Sequence, residues 1–129
     1  MISLSSTINQ FLLDWASTMQ TNDIKRILAL YDKNAVLLGT IANSFEVKRV
    51  NIKDYFVEFL GKNIIDKVTY LSVINQKSAN NPDLLISSGV YVFDMGNGPS
   101  VQARFSFVFN VDQPDFILNH HSSIPFDND

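Results

Sequence analysis

The sequence predicts an α+β domain in which helices come first and an antiparallel sheet follows. Three observations carry this. Apolar residues recur at helical spacing in the first third of the chain and again over 52–60. Beyond residue 61 the apolar period changes from 3.6 to 2. The strand-like runs after that point are separated by short turn signals. The order read along the chain is α-α-β-β-α-β-β-β-β. Strands joined by short turns form an antiparallel meander, with the helices gathered toward one face.

Each element has its own signal. Leu4, Ile8, Phe11, Leu12, Trp15 and Met19 form one apolar stripe, and Ser5, Ser6 or Thr7 can cap its start. Thr21-Asn22-Asp23 breaks that helix and offers a new N-cap. Ile24, Ile27, Leu28 and Tyr31 make a second stripe, ended by Asp32-Lys33-Asn34. Residues 35–38 and 44–47 read as short strands around a turn at 39–43. Asn51 can cap a third helix, with Asp54 at the acidic position of a capping box and Gly61 at its C-terminus. Its stripe is Ile52, Tyr55, Phe56, Phe59 and Leu60. The later strands span 64–76, 84–93, 100–111 and 116–123. Asn80-Asn81-Pro82-Asp83, the run 94–99 and Asp112-Gln113-Pro114-Asp115 turn between them.

Composition narrows the function. The chain has 129 residues, 46% of them hydrophobic, enough for one domain over 1–129 with its own core. It contains no cysteine, so disulfides and thiolate metal sites are excluded. The formal net charge is −3 with the charges interspersed, and Lys48-Arg49 alone makes no basic patch, so nucleic acid is not an expected partner. No run approaches the ~20 apolar residues of a membrane helix. The first residues lack the charged start of a secretory signal, and a cytoplasmic location is expected.

Pairing register decides which side chains share a face. With Val111 opposite Phe116, Ser106 faces His121 and Val108 faces Asn119. With Phe93 opposite Ser100, Gly89 faces Arg104 and Tyr91 faces Gln102. One face then collects Ile86, Val90, Val92, Val101, Ala103, Phe105, Phe107, Phe109, Phe116 and Leu118, with His120 beside Phe107. The other collects Ser87, Gly89, Tyr91, Gln102, Arg104, Ser106, Asn119 and His121. Two arrangements are open. Either the polar face is wet and the apolar face packs on the helices, or the helices cap the polar face around Arg104 and the apolar face is buried in a dimer.

The run Ala103-Arg104-Phe105-Ser106-Phe107-Val108-Phe109, followed by Asn119-His120-His121-Ser122-Ser123-Ile124-Pro125, resembles small bacterial proteins related to the association domain of calcium/calmodulin-dependent protein kinase II. Leu30-Tyr31-Asp32-Lys33-Asn34-Ala35-Val36-Leu37-Leu38 is similar to another of their runs, and Trp15 falls at their helix-one tryptophan. Asn34, Asn119 and the residues at 115–116 depart from the pattern. These relatives belong to the nuclear transport factor 2-like (SnoaL-like) superfamily. The resemblance implies a cone-shaped fold: a curved antiparallel sheet capped by three helices, with a central cavity and dimerisation through the sheet. The chain has no kinase catalytic motif, so any kinship is of the domain and not of activity.

The expected ligand-binding residues are Arg104, His121, Tyr91, Ser106, Asn119 and Gln102. A guanidinium in a cavity suits a small carboxylate or similar planar anion, whereas a structural pairing with Glu46 is the plainer alternative. His121 can serve in the pocket or be held structurally by Ser106; His120 reads as structural. Trp15 and Tyr55 read as core, and Asp14 as wet. Adjacent histidines on a strand point oppositely, so no metal site is expected, and no cofactor either. The first functional reading is a ligand-binding and oligomerising domain whose partner is a second copy of itself. The alternatives are an enzyme of the ketosteroid isomerase or polyketide cyclase kind with His121 as general base, and a protein-interaction module.

Overall fold

The computed structural model describes residues 4–39 and 52–124. Its elements are α1 (Leu4–Met19), α2 (Ile24–Leu28), β1 (Tyr31–Leu38), α3 (Ile52–Lys62), β2 (Ile65–Lys77), β3 (Leu84–Met95), β4 (Val101–Asn110) and β5 (Ile117–Ser123). The expected strand at 44–47, the Asn51 cap and Glu46 lie outside the described residues. The strands form one five-stranded sheet in the order β1-β5-β4-β3-β2. The β2–β3, β3–β4 and β4–β5 pairs are antiparallel, as their short turns predict. β1 lies parallel to β5, so the sheet is mixed rather than wholly antiparallel.

The break between α1 and α2 anchors the helices to the sheet. Asn22 adopts φ 54°, in the left-handed region that asparagine tolerates better than most residues. Its amide then pairs with Ile65 like a strand partner: Nδ2 donates to the carbonyl at 3.0 Å, and Oδ1 accepts from the N–H at 2.9 Å. Asp23 caps α2 by accepting from the N–H groups of Lys25 and Arg26. The Tyr70 hydroxyl donates to the Leu12 carbonyl at 2.7 Å, tying α1 to β2.

Two boundaries differ from expectation. Tyr31 begins β1 and does not continue α2, and Asp32-Lys33-Asn34 runs within that strand. The ladder to β5 captures this backbone, pairing Tyr31 with Ile117, while the Ile117 N–H donates to the Leu30 carbonyl at 2.9 Å. Such a partner is invisible to local spacing. Gly61 sits inside the last turn of α3, which closes at Lys62.

Alternation along β4 buries Ala103, Phe105, Phe107 and Phe109, and the helices cover this face. Phe11 stacks on Phe109 at 5.6 Å, Trp15 on Tyr91 at 5.4 Å, and Phe59 meets Phe93 edge-on at 6.3 Å. Each buried ring contributes about 1.5–3 kcal/mol, so this layer dominates the core.

The expected β4–β5 pairs form from Val108 away from the turn: Ser106 with His121, Val108 with Asn119 and Phe107 with His120; nearer the turn the register shifts by one, so Phe109 pairs with Ile117 and the expected alignment of Val111 with Phe116 is not part of the ladder. The expected β3–β4 register does not form. Phe93 pairs with Val101, Tyr91 with Ala103, Gly89 with Phe105 and Val90 with Arg104. A shift of one residue exchanges the two faces of a strand. Ser87 and Tyr91 therefore belong to the inner aromatic face, whereas Ile86, Ser88, Val90 and Val92 share the outer face with Gln102, Arg104, Ser106 and His121. Since the helices occupy the aromatic face, it is not the surface on which a second copy could pack.

Candidate functional site

A cavity of about 130 Å³ lies between the inner face of the sheet and the helices. Trp15 and Met19 of α1, Tyr55 and Phe59 of α3, and Tyr91, Phe93 and Met95 of β3 form most of its wall, with Val101 of β4 completing the apolar part. Asn63 and the exposed Ile124 lie at its rim, and His120 and Ser122 of β5 bring polarity to one end. Among the described residues, no Asp, Glu, Lys or Arg lines it. Tyr55 reaches its place because its ring lies against Gly39, at a separation that leaves no room for a Cβ.

His120 is the centre of the polar end. It is 3% exposed, stacks on Phe107 at 4.1 Å and meets Trp15 edge-on at 5.4 Å. Both ring nitrogens carry hydrogen bonds to tyrosines: Nδ1 to the Tyr31 hydroxyl at 2.8 Å, and Nε2 to the Tyr91 hydroxyl at 3.1 Å. The Trp15 indole N–H donates to the Tyr31 oxygen at 3.2 Å, and Tyr91 also hydrogen-bonds the Ser122 side chain. Burial pushes His120 down to about 3, with a smaller contribution from the neighbouring His121 charge, so the imidazole is neutral. Burial likewise raises Tyr31, Tyr70 and Tyr91, which keeps the phenols protonated.

The residues expected to form one pocket are divided by the sheet. Tyr91 lines the inner cavity. Arg104, Ser106 and His121 come together on the outer face, where with Ser88 and Ser123 they line a shallow basin. The Ser88 and Ser106 hydroxyls lie 3.2 Å apart there. Gln102 and Asn119 are exposed on this same side, outside the basin lining. Arg104 is also exposed, so the expectation of a guanidinium inside an enclosed pocket is corrected. Arg104 alternates with Ala103 and Phe105 along β4, and the helices cover the phenylalanine face rather than the face of Arg104; the one-residue register difference in β3 moves Tyr91 to the inner side. Gly89 does not make room for Arg104; β2 passes so close that the Ser72 carbonyl occupies the space of a side chain.

His121, expected as the general base of an enzyme, likewise faces away from the cavity. The inner imidazole is His120, whose stacking on Phe107 the sequence reading anticipated but whose two tyrosine partners it missed. Trp15 and Tyr55 do pack in the core and also line the cavity, and Asp14 is exposed as expected. Among the described residues, no cluster of three or more His, Asp or Glu side chains could hold a metal ion, and no helix is long and apolar enough to cross a membrane.

The five-stranded sheet with helices over its aromatic face is the nuclear transport factor 2-like fold, an α+β architecture. Within that class the chain resembles a Xanthomonas campestris protein named for the calcium/calmodulin dependent protein kinase II association domain, with 26% identity and a TM-score of 0.79 over 96% of this chain and 89% of that one. A nuclear transport factor 2-like protein from Cytophaga hutchinsonii superposes with a TM-score of 0.72 at 10% identity, covering 96% of this chain and all of that one (100%). A Bacillus subtilis protein named as an isomerase superposes with a TM-score of 0.64 at 17% identity, over 96% and 90% of the two chains. No family profile matches the sequence, and no curated protein matches it.

Proposed function

We propose that the chain is a small-ligand-binding domain whose ligand occupies the inner cavity and is a neutral, largely apolar molecule about the size of one aromatic ring. The space of about 130 Å³ between Trp15, Tyr55, Phe59, Tyr91 and Phe93 carries this reading. An apolar cavity of roughly 150 Å³ is enough for benzene. With no charged side chain among the described residues of the lining and a neutral imidazole at the polar end, a carboxylate would enter without a counter-charge from them, at a large desolvation cost.

Binding fits the site better than catalysis. Proton abstraction needs a base within reach of substrate, and both nitrogens of His120 are already engaged by tyrosines. The test is titration with toluene followed through Trp15, the sole tryptophan. Saturable fluorescence quenching that disappears in Val101→Phe, which narrows the cavity without adding a second tryptophan, is expected. An unsaturable response identical in both proteins would end this reading.

A second reading concerns the outer face. Ile86, Val90, Val92 and Val108 are half-buried there, next to the basin of Arg104, Ser106 and His121. The relative from Xanthomonas campestris is named for association. Self-association of this chain would use that outer face, with the basin receiving a small anion such as a carboxylate. Sedimentation at micromolar concentration tests it: a dimer or larger assembly is expected, and a monomer would contradict it.

A further inference from the structure

Paired residues on neighbouring strands point to the same side of a sheet. On the outer face, Ser88, Ser106 and His121 form one row across β3, β4 and β5, and Arg104 and Ser123 belong to the next. Neighbouring strands lie about 4.8 Å apart, and same-face neighbours along one strand about 7 Å, so these side chains share a patch roughly 10 Å by 7 Å. Together they line the shallow basin, whose volume is about 430 Å³.

The chemistry of this patch is one-sided. Among the described residues, no Asp or Glu lines the basin. The Arg104 guanidinium is exposed and holds no hydrogen bond or ion pair with any described residue. The Ser88 and Ser106 hydroxyls, 3.2 Å apart, use one hydrogen between them, which leaves the other free to donate. His121 and Ser123 add further donors.

Such a set exceeds what a carboxylate can use. A guanidinium fork engages both carboxylate oxygens in its own plane. A phosphoryl group offers the same two oxygens, a third out of that plane, and more negative charge at neutral pH. Toward β2 the patch turns apolar. Val90 pairs with Arg104 and Ile74 with Ser88, so both stand on the outer face in the same two rows. Ile74 is 71% exposed, more than any other large apolar side chain among the described residues. This shelf suits an organic group joined to the phosphoryl through its ester oxygen.

We infer that the outer basin binds phosphate monoesters of small apolar alcohols or phenols. The phosphoryl group is held by Arg104 and the serine row, and the ester group lies over Val90 and Ile74. The inference takes from the second reading above only that the basin holds an anion; it adds the ligand class and does not depend on self-association.

Calorimetric titration of the whole chain at neutral pH with phenyl phosphate, inorganic phosphate and benzoate is the test. Phenyl phosphate is expected to bind about tenfold more tightly than benzoate, the worth of one added hydrogen bond to a charged group. It is expected to bind about threefold more tightly than inorganic phosphate, through its apolar contact. Ser106→Ala should remove the advantage over benzoate, and Ile74→Asn the advantage over inorganic phosphate. Arg104→Ala should abolish binding of all three while the thermal unfolding midpoint stays in place. Benzoate binding as tightly as phenyl phosphate, with Arg104 still required, would overturn the phosphoryl class and leave the anion basin standing. Phenyl phosphate binding undiminished in Arg104→Ala would overturn the assignment to this basin. No binding of any probe would remove the anion basin as well.

Discussion

Gly89 faces the carbonyl oxygen of Ser72 so closely that no side chain fits between them. The β2–β3 ladder shifts register between Tyr70 and Ser72, and this irregularity drives the two backbones together. Gly89→Ala must move backbone rather than a flexible side chain. It is expected to destabilise the fold by about 1–3 kcal/mol in urea denaturation. Gly98→Ala is the control: nothing lies within 4 Å of its Cβ position and its φ is not positive, so a change within about 0.5 kcal/mol is expected. Equal effects at the two sites would contradict the close approach.

Tyr31→Phe removes the hydroxyl that joins Trp15 to His120. It leaves a buried indole N–H without its acceptor and Nδ1 of His120 without its partner. The expected loss is about 1–3 kcal/mol, measured by thermal or urea unfolding. A loss under about 0.5 kcal/mol would mean that the hydroxyl is not an obligatory link.

The neutral state of His120 makes stability depend on pH. Its folded pKa, about 3, lies below the 6.5 of an unperturbed imidazole. Between those values the unfolded chain binds the proton and the folded one does not, so stability falls as pH drops below 6.5 and is restored as pH rises. The slope from this one group approaches about 1.4 kcal/mol per pH unit within that window. Carboxylates titrate in the same range, so the informative quantity is the difference between wild type and His120→Gln. The variant is expected to show a shallower loss between pH 6 and pH 4, and parallel curves would rule out the buried neutral imidazole as the cause.

Arg104→Ala probes the outer face. The side chain is exposed, and no carboxylate among the described residues pairs with it. The substitution is expected to change stability by no more than about 0.5 kcal/mol. It should abolish any binding of acetate or benzoate measured by calorimetry, while the toluene titration of Trp15 stays as it was. Loss of toluene binding in this variant would place Arg104 in contact with the inner cavity, against the observed register.

Much of the architecture could be read from local pattern. The alternation of Phe105, Phe107 and Phe109 marked β4 and its buried face, and Ser106 meets His121 as expected, although the ladder reaches that pair through a register shift at Val108 and Phe109. Asp23 announced α2. Where reading failed, the deciding contact was distant in sequence. Tyr31 fits a helical stripe as well as a strand, and only its pairing with Ile117 settles the matter. The turn from Phe93 to Val101 gave no local sign of its register, and one residue of error carried Tyr91 to the wrong side. The pocket predicted around Arg104 was lost for a different reason: the helices cover the phenylalanine face of β4 and not the face that carries Arg104. The site that took its place joins residues from α1, β1, β3 and β5, a set that no spacing rule brings together.

The parallel pairing of β1 with β5 has a consequence for how the molecule comes to exist. Tyr31 and His120 belong to the two strands most separated along the chain, and their bond can form only after β5 has been synthesised and docked. Loop closure over such a span is slow relative to the hairpins β2–β3 and β3–β4. The polar end of the cavity is therefore expected to be the last feature to mature on the folding pathway. A nascent chain halted before β5 would hold aromatic walls with no imidazole between them.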